Sequence, residues 1–171
     1  MSVEKRPFGP DDLPVSLLGF GCGAVGGLMV RGLAAEQERA VARALDVGIN
    51  YFDTAVQYGN GASEQNLGGI LRRLGAENAL VGTKVHLRPA EFDRIAAAVT
   101  ASLDGSLRRL QRDHVDIFHL HNALTRDGGG DSLSTRQVLE EVVPAFEALR
   151  AAGKIRLLGL PPSARLPPCS R

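Results

Sequence analysis

The chain has no tryptophan, only two cysteines, and no apolar run approaching the length of a membrane span. Each shortage excludes something. Cys22 and Cys169 are too few for a disulfide framework, and neither stands in a context with metal-ligand spacing, so a secreted disulfide scaffold is excluded and a reducing compartment is expected. The opening MSVEKRPFGPDD is charged and turn-rich, without the apolar h-region of a signal peptide. With no long apolar segment downstream, the expected location is the cytoplasm. An excess of charge of one sign is also missing. The 20 Lys and Arg balance 19 Asp and Glu, which gives no electrostatic footprint for nucleic acid or an anionic membrane. The partners that remain are small molecules or another protein. What is present is an ordinary core-forming composition, 44% hydrophobic over 171 residues, enough for one domain with a sizeable core.

The order of elements carries the fold. Lys5 to Phe8 and Leu13 to Ser16, around Gly9-Pro10-Asp11-Asp12, read as a hairpin. Strands are then expected at Leu17–Cys22, Ile49–Asp53, Leu80–Val85, Val115–Leu120 and Ile155–Leu160. All are short Val-, Ile-, Leu- or Phe-rich runs without clean alternation, as in a parallel sheet buried on both faces. Between them lie helical patterns. One covers Ala35–Val47 and stops at Gly48. A second is N-capped by Ser63 and carries Leu67, Ile70, Leu71 and Leu74. A third covers Glu91–Leu110, and a fourth runs through Val142, Phe146 and Leu149 to Gly153, with Pro144 at its first turn or at a kink. This βα repetition predicts a parallel α/β fold, either doubly wound or a (β/α)8 barrel. A barrel typically needs about 250 residues, so only about half of one fits here. In the last segment, PPSARLPPCSR, Pro161 and Pro162 end the fifth strand because neither can donate to a ladder. Residues 161–171 are expected to be disordered.

GFGCGAVGG, residues 19–27, contains Gly21-x-Gly23-x-x-Gly26, the form of a dinucleotide fingerprint. The context argues against that reading. A fingerprint opens directly into its helix, with its acid about 20 residues on, whereas here the helix is expected near Ala35 and Asp53 lies 27 residues past Gly26. The alternative is a flexible loop after the first strand.

In parallel α/β folds the functional site lies at the carboxyl ends of the strands. Asp53, Tyr58, Lys84 and His121 fall there. A lysine inside VGTKV needs a partner if buried, and Asp53 on the neighbouring strand supplies one. A phenol with a pKa of about 10 is a poor acid near neutrality. An adjacent ammonium held by a carboxylate favours the phenolate and makes Tyr58 a usable general acid for a carbonyl oxygen, with His121 orienting that oxygen. Other readings stand beside this one: a structural Asp53–Lys84 ion pair, Tyr58 as a rim aromatic, and His119 with His121 and either His86 or Asp53 as metal ligands. His86 and His114 read as solvated loop residues. Residues 121–132, HNALTRDGGGDS, read as a mobile substrate loop.

The stretches VSLLGFGCGAVGG, GINYFDTAVQYGNGASEQNLGGIL, VGTKV, VDIFHLHN and GKIRLLG resemble, in order and spacing, the aldo-keto reductases, NAD(P)-dependent oxidoreductases built on a (β/α)8 barrel. The resemblance implies that Asp53, Tyr58, Lys84 and His121 form the catalytic tetrad. It further implies that Gly21, Cys22 and Asp53 lie near the nicotinamide ribose of NADP(H) or NAD(H), and that Tyr58, His121 and Asn122 meet a carbonyl, sugar or alcohol substrate. Residues 1–16 resemble the hairpin plug of the barrel floor, and 17–160 the N-terminal half of the barrel. Pro161 and Pro162 stand where the family has a cofactor-binding Ser-Asn pair. The residues that hold the adenosine 2′-phosphate in the family have no counterpart, so impaired activity in a truncated chain is expected. The alternative is a non-catalytic half-barrel that self-associates through open sheet edges.

Overall fold

The structure is a computed structural model that describes residues 2–23 and 25–161. Pro162, Cys169 and the remainder of the proline-rich segment lie outside the described residues. The chain opens with an antiparallel hairpin of β1 (Lys5–Phe8) and β2 (Leu13–Ser16). Asn50 ties it down: its side chain accepts from the Ser16 amide at 2.8 Å and donates to the Pro14 carbonyl at 2.7 Å. The turn residue Gly9 is seated on Leu157, since a Cβ there would come within 3.1 Å of both leucine Cδ atoms.

The chain continues through β3 (Phe20–Gly21), α1 (Leu28–Arg31), α2 (Ala34–Asp46), β4 (Tyr51–Asp53), α3 (Ala62–Arg73), β5 (Leu80–Val85), α4 (Ile95–Leu110) and β6 (Val115–Leu120). A short parallel pair, β7 (Leu124–Thr125) and β8 (Leu133–Ser134), follows, then α5 (Thr135–Gln137), α6 (Val143–Ala151) and β9 (Ile155–Gly159). The main sheet has five strands in the order β3-β4-β5-β6-β9, all parallel. Each strand lies beside its predecessor, with helices in the crossovers. This is barrel order. A doubly wound sheet reverses direction at a switch point, and none occurs among the described residues.

Strand alternation separates two faces. Phe52, Val81, Val85, Phe118 and Leu120 are buried against the helices, where they meet Val41, Leu67, Ile70, Val99, Leu103 and Phe146. The Phe118 and Phe146 rings lie 4.9 Å apart. Tyr51, Asp53, Lys84, His119 and Leu157 stand half-buried on the opposite, inner face. Two glycines make room there: a Cβ on Gly82 would come within 3.1 Å of Tyr51 Cζ, and one on Gly159 within 2.6 Å of His119 Cε1.

Several local expectations are corrected. The first strand pairs only at Phe20 and Gly21, because β3 is an outer strand, and Leu17 and Leu18 are exposed. Past Gly21 the described residues of the glycine-rich segment form no helix or strand, and one helical turn, α1, follows the segment and buries Met29. Ser63 does not cap α3. That position belongs to Gly61, at φ 92°, while Ser63 is buried inside the first turn. Helix α4 begins at Ile95, preceded by a separate 3-10 turn at Pro89–Glu91. Immediately before Pro144 the chain widens into a π turn over Val138–Val142. In an α-helix the proline ring would clash with the carbonyl of residue 140, and the wider turn relieves this. Among the described residues no helix is long and apolar enough to cross a membrane.

Candidate active site

Register brings the polar residues together. Asp53, the last residue of β4, lies opposite Gly21 on β3 and Gly82 on β5. Lys84, two residues further along β5, faces the same side. Its ammonium donates to Asp53 Oδ2 at 2.8 Å, to the Thr54 carbonyl at 2.8 Å and to Tyr58 Oη at 3.2 Å. All three N–H groups of the lysine therefore have acceptors, and Nζ lies 4.8 Å from the Tyr58 ring centroid. The Lys84 side chain is only 13% exposed and that of Asp53 33%. The partner expected for a buried lysine is in place.

Tyr58 reaches this point because its loop is tightly coiled. Its amide donates to Ala55 O, its carbonyl accepts from the Ser63 amide, and Gly59, Asn60 and Gly61, all at positive φ, turn the chain into α3. The second carboxylate oxygen of Asp53 receives only a long 3.5 Å contact from Tyr51 Oη. Burial, followed by the Asp53 charge, pushes the Tyr51 phenol well above its ordinary range.

His121 follows β6, and its amide donates to Val85 O at 2.8 Å. Its ring stands edge-on to Tyr58, with centroids 6.3 Å apart, and edge-on to His86 at 6.4 Å. His86 is thus half-buried beside the site rather than a solvated loop residue. Burial lowers the pKa of His121, reinforced by Lys84 and His86. Nδ1 is enclosed without a hydrogen-bond partner, which leaves Nε2 as the nitrogen that can meet a ligand. His119 is the cross-strand neighbour of Lys84. Its cationic form is likewise disfavoured, first by burial and then by Lys84 and His121, against the opposing pull of Asp53. Among the described residues no group of three or more His, Cys, Asp or Glu is arranged to hold a metal ion.

Two expected contacts are corrected. Asn122 is fully buried: Oδ1 accepts from the Leu87 amide at 2.8 Å, and Nδ2 donates to Leu87 O at 2.7 Å and Asp131 O at 2.8 Å. It clasps two loops and has no polar atom left for a substrate. Cys22 is also spent. Its amide donates to Asp53 O, its carbonyl accepts from Ser63 Oγ, and its thiol is buried, which pushes the thiol pKa up to about 12. Gly21 remains exposed at the strand mouth, with open space where a Cβ would stand.

Residues that sequence reasoning passed over complete the surroundings. Thr54 and Ser63 join hydroxyls at 2.9 Å, both fully buried. Glu64, also fully buried, accepts from Thr83 Oγ1 at 2.6 Å and from Arg109 Nε at 2.6 Å. A signal existed for Glu64, since it lies three and seven residues before Leu67 and Leu71, on an apolar helical stripe where a lone carboxylate calls for a partner.

A parallel sheet in barrel order, with a lysine, tyrosine, aspartate and histidine gathered at its carboxyl edge, defines an α/β-barrel-type chain. The model of the Aldo/keto reductase family matches residues 17–163, and the chain belongs to that family. It is 36% identical over 162 residues to L-galactose dehydrogenase of Arabidopsis thaliana, covering 92% of this chain and 48% of the relative. To D-threo-aldose 1-dehydrogenase of a Pseudomonas species it is 31% identical, over 94% of this chain and 54% of the relative. Among solved structures, an aldo-keto reductase of Bacillus halodurans in its holo form superposes with a TM-score of 0.72 at 32% identity, over 92% of this chain and 50% of the other. One from Klebsiella pneumoniae in complex with NADPH gives 0.66 at 30%, over 94% and 50%. The chain thus spans about half the length of the curated relatives it matches, and its sheet corresponds to about half of a (β/α)8 barrel.

Proposed function

We propose that this chain carries the acid–base centre of an NAD(P)-linked oxidoreductase that interconverts a carbonyl and an alcohol, with Tyr58 as the proton donor. The observation that carries the reading is the saturated Lys84 ammonium. Because Lys84 donates to Tyr58 Oη, the phenolic hydrogen points elsewhere, toward a carbonyl oxygen at the strand mouth. When that proton leaves, the ammonium stabilises the phenolate, and Asp53 and the Thr54 carbonyl keep the ammonium in position. His121, disfavoured as a cation by its surroundings, donates to the same oxygen as a neutral imidazole and orients it. In the oxidative direction Tyr58 takes the proton back.

The residues present fit a nicotinamide nucleotide in part. Gly21 leaves open space beside Asp53, and Asp53 Oδ1 keeps acceptor capacity for a ribose hydroxyl. Bound there, NADP(H) or NAD(H) supplies the hydride. The relatives named for L-galactose and D-threo-aldose oxidation favour a sugar or related hydroxy-aldehyde as substrate. By itself, the 171-residue chain is expected to hold the nucleotide weakly and turn over slowly, because orientation can be worth about 7–11 kcal/mol of a barrier and needs binding energy to sustain it. The same reading puts the chain in the cytoplasm, with Cys22 reduced.

The test is nucleotide oxidation and reduction against a panel of aldoses and aldehydes, with Tyr58→Phe beside the unaltered chain, and calorimetric titration with NADPH. Loss of turnover in Tyr58→Phe is the expected result, and retention of most of it would sink the assignment. Micromolar or tighter NADPH binding would refute the expectation of weak affinity. A second reading, assembly through sheet edges, draws on the outer sides of β3 and β9, which have no partner strand among the described residues, and on exposed Leu17, Leu18 and Leu160. Light scattering after size exclusion distinguishes it, since a stable monomer counts against assembly.

A further inference from the structure

The first turn of α3 bears on how Tyr58 meets Lys84. The loop that carries Tyr58 ends in α3, and the Tyr58 carbonyl is held by the Ser63 amide. The next residue, Glu64, is a fully buried carboxylate whose two oxygens go in different directions. Oε1 receives the hydroxyl of Thr83, the residue immediately before Lys84 on β5, and Oε2 receives Arg109 from α4, each at 2.6 Å. Arg109 lies across the backbone of Gly61, where a Cβ would come within 2.6 Å of its Cδ, and it also donates to Ser106 Oγ at 3.1 Å. One carboxylate thus joins the helix start behind Tyr58, the strand that carries Lys84 and the neighbouring helix.

Joining α3 and β5 does not by itself require charge, because Leu67, Ile70 and Leu71 of α3 and Val81 and Val85 of β5 already share one apolar core. A buried carboxylate in this place is costly unless both oxygens are matched, and its partners are Thr83, which precedes Lys84, and Arg109, which lies against Gly61 at the end of the Tyr58 loop. We infer that Glu64, through Thr83 and Arg109, is a positioning residue that sets the Tyr58–Lys84 separation. The inference rests on the proposed role of Tyr58, but its geometry can be tested without turnover. Charge-assisted bonds as short as these are directional, so Glu64 fixes where α3 begins relative to β5 more narrowly than apolar contact would. The hydroxyl of Thr83 is the link that can be cut most cleanly, since valine has nearly the same shape and leaves the Glu64–Arg109 pair intact.

The chain has two tyrosines, Tyr51 and Tyr58, so fluorotyrosine labelling of the full chain gives two fluorine resonances, assigned with Tyr58→Phe. Thr83→Val is expected to shift or broaden the Tyr58 resonance while leaving that of Tyr51 in place, and Thr83→Ser, which keeps the hydroxyl, should restore it. Glu64→Gln, which keeps an acceptor for Thr83 but loses the charge facing Arg109, should also move the Tyr58 line. A fall in melting temperature with an unmoved Tyr58 resonance in both Thr83→Val and Glu64→Gln would overturn the inference and leave only a structural role. Failure of both variants to fold would overturn it too, since a joint whose loss is fatal is structural. Tyr58→Phe turnover independently tests the function on which the inference rests: full activity there with a displaced resonance in Thr83→Val would refute Tyr58 as the proton donor and keep the positioning geometry.

Discussion

Two adjacent glycines on α3 provide a sharp test of the packing that holds the site. Gly68 faces the end of α4, where a Cβ would lie 2.6 Å from Leu110 Cα and 2.5 Å from its carbonyl carbon. These are backbone atoms, so no rotamer change relieves the collision. An ordinary carbon–carbon contact is about 3.5–4 Å, so α3 would have to retreat by about 1 Å. Alanine gains about 1 kcal/mol over glycine in a helix interior, but overpacking against a fixed neighbour costs about 1–3 kcal/mol or more. With a backbone neighbour the upper end applies, and Gly68→Ala is expected to lose about 2 kcal/mol net. Gly69 is the control. Its Cβ would meet Arg73 Nη1 at 3.4 Å and Gln111 Nε2 at 4.0 Å, both the far ends of flexible side chains, so Gly69→Ala should gain up to about 1 kcal/mol. Urea unfolding followed by circular dichroism reads both. With a slope of about 2 kcal/mol/M, the two midpoints should separate by about 1.5 M, on opposite sides of the unaltered chain. Shifts of the same sign would refute the close approach of α3 to α4, and with it the account of how the Tyr58 loop is seated.

Asn122→Ala should strand the buried amide and carbonyl of Leu87, costing about 1–3 kcal/mol for each group. Hydrogen exchange should show the Leu87 amide losing protection, while Asn122→Asp, which keeps the acceptor, should preserve it. Stability should also depend on pH through His119 and His121, whose folded pKa values are lowered. Below an unfolded value of about 6.5 the unfolded chain binds protons that the native rings refuse, so stability is whole above that pH and falls as pH drops through it toward the folded values. Urea midpoints at pH 8 and 5 should therefore differ less in His119→Leu than in the unaltered chain, and an equal difference would contradict the burial of that ring. Cys22, with its thiol pushed up to about 12 and its side chain buried, should resist iodoacetamide in the native chain and react once unfolded, as peptide mass spectrometry would show.

The sheet was legible because its strands are short apolar runs separated by helical stripes, and strand identity needs little beyond that. Its extent at the edge was not. Leu17 and Leu18 look like strand residues in composition, but Leu17 gives its amide to Glu4 O beside the hairpin, and among the described residues β3 has a partner strand on one side only. The Asp53–Lys84 pair was legible because a lysine in an apolar strand demands an acid nearby, and Asp53 ends the neighbouring strand β4. Asn122 and Cys22 were misread for a shared reason. Proximity to the site is visible in sequence, but whether a polar group is already spent on backbone is a three-dimensional matter, decided here by Leu87, Asp131 and Ser63. The same gap hid Glu64, whose partners lie 19 and 45 residues away.

The proposed acid–base set is local in a way that the proposed nucleotide binding is not. Every acceptor of the Lys84 ammonium comes from residues 53–58, the end of β4 and its loop, and β4 is the strand beside β5. His121 follows β6, on the other side of β5. Three neighbouring strands therefore suffice to assemble the proposed proton donor, its ammonium and its orienting imidazole, and none of these contacts crosses an outer edge of the sheet. A dinucleotide is far longer than the spacing of three strands, about 4.8 Å apart, so its affinity must be spread over a wider surface than the one that moves the proton. In the proposed function the two properties are therefore separable: changes at Glu64, Thr83 or Lys84 are expected to alter proton transfer, and changes beyond β4, β5 and β6 to alter nucleotide affinity.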